Sequence, residues 1–171
     1  MKFAPDSPWQ VQLSSLADTQ RLGDALAASI QVPMALALCG PLGAGKTELV
    51  RCLARALGVP SDAVTSPTYV LMQRYQGVIK LIHLDLYRLK SSDEVWDLGV
   101  DEWMAESALT ILEWADKFTE VWPDEWLRCD LVIETQERRT ARWSANGNLA
   151  RSTLDKMAAA WARTSPSAIN F

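Results

Sequence analysis

Two hydrophobic periods alternate along the chain, one of two residues and one near 3.6, and their order sets the expected architecture. Trp9-Gln10-Val11-Gln12-Leu13 alternates apolar with polar and predicts a half-buried strand. Asp18 to Ile30 places Leu22, Ala25, Leu26 and Ile30 on one helical face, and Pro33 separates that helix from the next run. Met34-Ala35-Leu36-Ala37-Leu38-Cys39 is unbroken and apolar, the length of a strand buried on both faces. From Thr47 to Leu57, Leu49, Val50, Leu53, Ala54 and Leu57 recur at helical spacing, and Gly58 followed by Pro60 stops the helix.

Further on, Tyr69 to Tyr75 and Val78 to Leu84 are β-rich runs split by Gln76-Gly77, which predicts an antiparallel hairpin. Ser91-Ser92-Asp93-Glu94 has the capping-box spacing, so a short helix is expected over Ser92 to Leu98, ended by Gly99. Leu109 to Trp114 reads as another apolar strand, and Asp130 to Gln136 with Ala141 to Ser144 as a final β pair. Ala150 to Arg163 carries Leu154, Met157, Ala158 and Trp161 on one face and closes the fold as an amphipathic helix. The expected class is α/β: a three-layer P-loop NTPase fold with a mixed, mostly parallel sheet, in one domain over residues 1–164 and a disordered tail at 165–171.

Composition narrows the class without changing it. With 171 residues, 49% hydrophobic and 22% charged, the chain suits one soluble domain, and its net charge of −4 argues against a basic face that grips nucleic acid unaided. Cys39, Cys52 and Cys129 form neither a CxxC pair nor an even set, so no disulfide is expected. No signal core or membrane-length segment stands out, and a cytoplasmic location is expected.

Within this pattern the stretch that constrains chemistry most is Gly40-Pro41-Leu42-Gly43-Ala44-Gly45-Lys46-Thr47, a complete G-x-x-x-x-G-K-[ST] phosphate loop. It follows a predicted buried strand and opens a predicted helix, the context that such a loop requires. Gly43, Ala44 and Gly45 let backbone N–H groups curl around phosphate oxygens, Lys46 places a point charge on the β and γ phosphates, and the Thr47 hydroxyl suits Mg2+. The positive end of the following helix faces the same anion.

A triphosphate site also needs carboxylates where neighbouring strands end. Asp85 follows one apolar strand and Glu113 another, which puts both at the carboxyl edge of the sheet. A cap or a partner for Arg88 remains an alternative for Asp85, and a merely exposed strand end for Glu113. His83, the single histidine, lacks a Cys or His partner at ligand spacing and reads as a hydrogen-bonded structural residue. Trp96, Trp103 and Trp161 fall on apolar helical faces, whereas Trp114 directly follows Glu113. No [NT]-K-x-D guanine-reading sequence follows the loop, so adenine is the expected base. The cluster Arg138, Arg139 and Arg142 keeps a small-molecule kinase open.

Four segments taken in order, Gly43 to Thr47, Ser66-Pro67-Thr68-Tyr69, His83-Leu84-Asp85-Leu86-Tyr87-Arg88-Leu89 and Leu112-Glu113-Trp114, resemble the bacterial TsaE (YjeE) ATPases, over roughly Leu13 to Arg142. Asp18 to Gly23 also looks like that family's opening helix. The resemblance implies an ATPase, slow alone, that works with TsaB and TsaD to make threonylcarbamoyladenosine on tRNA, touching tRNA only through the complex. It implies ATP and Mg2+ as cofactors, nucleotide and metal roles for Lys46 and Thr47, a metal-site carboxylate at Glu113 and support of hydrolysis by Asp85. By the same resemblance Thr19 lies near the adenine, Thr65, Ser66 and Thr68 belong to a switch-like loop near the γ-phosphate, and Trp114, Arg139 and Arg142 face the switch or the partners.

Two departures stand inside the motif. Pro41 occupies a position where the family usually has Asp, which removes an acid and a backbone N–H from the mouth of the loop. Glu48 adds a negative charge beside the phosphates, favoured by the helix dipole and opposed by the anion. The tail beyond Ala150 matches no part of the family pattern.

Overall fold

Met34–Cys39 forms strand β2, and all six of its residues are buried. A strand apolar on both faces must be covered on both, which forces helices onto the two sides of its sheet. The computed structural model describes residues 9–60, 63–64 and 71–164, and in chain order these form β1 (Trp9–Leu13), α1 (Leu16–Ala27), β2, α2 (Lys46–Ala56), β3 (Met72–Gln76), β4 (Lys80–Asp85), α3 (Ser92–Trp96), α4 (Val100–Met104), β5 (Ala108–Glu113), β6 (Trp126–Ile133), β7 (Arg139–Asn146) and α5 (Asn148–Arg163). The segment holding Thr65, Ser66, Thr68 and Tyr69, and the tail 165–171, lie outside the described residues.

The sheet runs β1-β7-β6-β2-β5-β4-β3. Its four central strands are mutually parallel, while β1 and β7 on one side and β3 on the other are antiparallel to their neighbours. The α/β class with a parallel centre is therefore as the sequence predicts, and the hairpin of β3 and β4 forms one edge. Side chains alternate across β2: Leu36 and Leu38 enter the core beneath α1, α2 and α5, whereas Ala37 and Cys39 enter the core beneath α3 and α4. Trp143 is fully buried in the first core, and Trp103 is 2% exposed in the second.

Several boundaries differ from expectation for identifiable reasons. Helix α1 starts before Asp18, because Ser15 caps it by accepting from the Asp18 N–H at 3.1 Å, and it ends at Ala27 so that Ile30 falls outside. Ser91 does cap α3, but the Glu94 carboxylate accepts from the Lys90 N–H at 3.0 Å instead of returning to Ser91. That helix stops at Trp96 rather than Leu98, and too few turns form to give Trp96 an apolar face; it is 41% exposed. The five-residue α4 is too short to leave a period in the sequence.

The final β pair is longer and earlier than Asp130 to Gln136 with Ala141 to Ser144. Trp126 to Cys129 pair with β2, so the central strand extends β6 toward its start. Beyond Ile133 the chain turns, with Glu134 N–H donating to the Arg138 carbonyl at 2.9 Å. Trp161 is half-buried on α5, its ring 3.4 Å from the Arg21 guanidinium of α1, a contact that joins the two helices.

Candidate nucleotide site

Strand β2 delivers the chain into the loop at Gly40, and α2 begins six residues later at Lys46. The turn between them requires left-handed backbone, which Gly43 and Gly45 adopt with φ of 79° and 100°. Nothing lies within 4 Å of where a Cβ would stand on either, so the concavity above the loop is open. Its mouth is lined by Gly43, Gly45, Lys46, Thr47, Asp85 and Glu113, around a cavity of about 330 Å3.

The Lys46 ammonium donates to the carbonyls of Gly40 at 2.7 Å and Pro41 at 2.9 Å, and lies 3.7 Å from the centre of the Trp114 ring. Burial pushes this amine down from its ordinary value, and the negative charges of Glu113 and Asp85 oppose that shift. Pro41 has no N–H to offer, yet its carbonyl accepts from both Lys46 and the Ala44 N–H, so it serves the loop as an acceptor.

Asp85 and Glu113 close β4 and β5 and are paired in register, which sets the two carboxylates side by side at the edge beyond the loop. The Thr47 hydroxyl lies 2.8 and 3.0 Å from the two Glu113 oxygens. One of those oxygens also sits 2.8 Å from His83 Nε2, and both residues are buried. Asp85 accepts from the Tyr87 N–H at 2.9 Å, so it shapes its own turn, and the residue is 3% exposed. Glu113, 2% exposed, is not the exposed strand end that was its simpler alternative, whereas Asp85 does cap its own turn, as its simpler alternative had it.

Trp114 follows Glu113 in the left-handed region, with φ of 59°, and its ring lies 4.8 Å from that of Tyr87, tilted by 41°. A non-glycine residue in this conformation costs of order 1 kcal/mol and persists where its surroundings hold it. Here Lys46 and Tyr87 both contact its ring.

On the far side of the loop a second cavity, about 360 Å3, is lined by Thr19, Ala44, Gly45, Glu48, Leu131 and Arg139. Gly45 and Glu48 line both cavities, so an apolar recess of a size that suits a nucleoside adjoins the phosphate loop. Arg139 is thus brought to the Thr19 side, where its guanidinium donates to the Gln136 carbonyl at 3.0 Å. Arg142 is not: it is exposed on β7, opposite Gln10 and Asp130. Glu48 turns to Arg51 at 3.0 Å, which partly neutralises the charge it adds beside the loop.

The donor set fits a nucleotide with a hard divalent ion. Among the described residues no group of three or more His, Cys, Asp or Glu side chains could hold a metal by itself. A threonine hydroxyl beside one carboxylate, next to an open phosphate cradle, instead matches Mg2+, which takes most of its ligands from phosphate and water. Sequence reasoning missed three parts of this site: the contact of His83 with Glu113, the ring of Tyr87 and the side chain of Leu42, 82% exposed on the loop. The period of two places His83 on the same strand face as Asp85, a signal that was available.

Comparison with known proteins gives this geometry a family. A family model described as threonylcarbamoyl adenosine biosynthesis protein TsaE matches residues 13–141. The tRNA threonylcarbamoyladenosine biosynthesis protein TsaE of Bacillus subtilis is 34% identical over 132 residues, covering 77% of this chain and 82% of that protein. The Aquifex aeolicus protein of the same name is 35% identical over 129 residues, covering 74% and 86%. Among solved structures, the crystal structure of Bacillus subtilis YdiB superimposes with a TM-score of 0.74 at 25% identity, covering 90% of this chain and 95% of that one. The chain belongs to the TsaE family.

Proposed function

We propose that this protein is a cytoplasmic, Mg2+-dependent ATPase that acts with TsaB and TsaD in threonylcarbamoyladenosine modification of tRNA, reaching tRNA only through that complex. The observation that carries the reading is the approach of Thr47, next to Lys46 at the start of α2, to the buried Glu113 beneath an open glycine cradle. Gly43 to Thr47 bind the triphosphate and the recess beside Thr19 takes the adenine. Mg2+, when bound, neutralises charge on the β and γ phosphates.

Lys46 exchanges its two loop carbonyls for phosphate oxygens. Glu113 orients the Thr47 hydroxyl and is itself oriented by His83. Asp85, in the turn it fixes through the Tyr87 N–H, supports positioning of the attacking water. The switch-like role of Thr65, Ser66 and Thr68 rests on the resemblance alone, as does a partner-facing role for Trp114, Arg139 and Arg142.

A second reading is a nucleotide-gated binding module in which hydrolysis only resets the complex. Leu42 at 82% and Tyr87 at 50% exposure favour it, because they present apolar surface at the mouth of the site, where a docked partner would cover the nucleotide. ATP turnover measured with and without TsaB and TsaD tests the first reading, and a rate indifferent to them counts against it. Glu113→Ala separates the two: modification that persists without hydrolysis selects the binding module.

A further inference from the structure

Lys117 stands four residues beyond Glu113, at the end of a 3₁₀ turn over Ala115–Lys117. Its ammonium donates to three backbone carbonyls, Leu86 at 3.2 Å, Tyr87 at 2.6 Å and Leu89 at 2.7 Å. An ammonium carries three protons, so three convergent carbonyls satisfy it as a cation cage would. All three belong to the turn after β4, which Asp85 shapes at one end through the Tyr87 N–H.

The other end of the lysine is fixed to the second carboxylate strand. Lys117 N–H donates to the Trp114 carbonyl at 3.2 Å, and Leu86 N–H donates to the Glu113 carbonyl at 3.1 Å. Lys117 therefore spans from the left-handed corner at Trp114 to the turn that carries Asp85 and Tyr87. Sheet pairing ends at Asp85 and Glu113, so beyond that point the ladder no longer holds the two segments together.

We propose that Lys117 is a positioning residue for ATP hydrolysis, a tethered cation that locks the Asp85–Leu89 turn onto the Glu113–Trp114 corner. It touches no nucleotide and acts through the placement of Asp85 and Tyr87. The inference rests on the ATPase reading above, and it adds a residue that neither the phosphate loop nor the two carboxylates supply.

The test compares wild type, Lys117→Met and Lys117→Arg in the TsaB–TsaD assembly, reading ATP turnover, KM for ATP and hydrogen exchange of peptides covering residues 85–89. Lys117→Met should lower turnover at saturating ATP at least about tenfold with KM little changed, and should speed exchange across that turn. Lys117→Arg, which restores donors in a less suitable shape, should recover turnover to within about threefold of wild type. Unchanged exchange in Lys117→Met overturns the proposal, as does turnover at the wild-type level. A loss of turnover accompanied by faster exchange throughout the chain rather than across residues 85–89, with Lys117→Arg no better than Lys117→Met, overturns it as well, because that is the mark of general unfolding. A wild-type protein that hydrolyses no ATP defeats the ATPase reading instead, and the exchange measurement then still reports whether the lysine locks the turn.

Discussion

The Thr47 hydroxyl lies between the two oxygens of Glu113, 2.8 and 3.0 Å away, although the residues are 66 positions apart. The contact ties the first turn of α2 to the end of β5, and it places a neutral oxygen ligand against a buried carboxylate where Mg2+ would sit. Glu113→Gln keeps the shape and removes the charge. It should weaken Mg2+ dependence of turnover on the order of 10- to 100-fold, while ATP affinity measured without magnesium should not fall. Magnesium titrations of ATP turnover check the first part and calorimetry in chelator the second. A variant with wild-type magnesium dependence would remove Glu113 from the metal site.

Lys46 and Trp114 make the next prediction. The ammonium sits 3.7 Å from the ring centre and is also held by two loop carbonyls, so the nucleotide must compete for it. Trp114→Leu removes the ring's share of that competition, worth about 0.5–1 kcal/mol at a partly exposed site. ATP should therefore bind roughly two- to fivefold more tightly to the variant. Unchanged binding would mean that the ring holds Lys46 equally well with nucleotide present, and weaker binding that it holds the ammonium better there.

How much of the site was legible depended on how local its geometry is. The cradle, β2 and α2 are consecutive in the chain, and motif and period place them together. Asp85 and Glu113 were legible because an apolar strand ending in an acid has few other readings. The contact between His83 and Glu113 needs the register of β4 against β5, which composition does not encode. Lys117 reaches carbonyls 28 to 31 residues earlier, which no periodicity marks. Extension of β6 to Trp126 is likewise tertiary, since its first residues are held by β2.

The start of α5 likewise depends on a residue distant in sequence, 23 to 25 positions earlier. Glu125 accepts from the N–H groups of Asn148 at 2.9 Å and Ala150 at 3.0 Å, doing for this helix what a local cap residue does elsewhere. Gly147 has φ of 87°, and a Cβ there would run into that same carboxylate. Glu125→Ala should cost about 1 kcal/mol, as loss of a cap does. Gly147→Ala should cost more than that, because it adds backbone strain to the lost cap. The double variant should cost less than the sum of the two, since both remove the same cap. Urea unfolding of the four proteins gives the cycle, and strict additivity would separate Gly147 from Glu125.

The three cysteines predict how the protein responds to alkali. Burial pushes the Cys39 thiol up to about 12 and Cys52 up to about 11, and raises fully buried Cys129 well above its ordinary value of 9.0. A group whose folded value is raised favours folding while the unfolded chain is also protonated. That contribution is whole below about pH 9 and is lost as pH rises from there toward the folded values. At pH 8 the native thiols should therefore resist alkylation, while denaturant should expose all three to it. Chemical stability should decline from about pH 9 to 11, and less steeply in Cys52→Ala, which has one fewer thiol to ionise on unfolding. Equal slopes for wild type and Cys52→Ala would show that other groups set the alkaline limit.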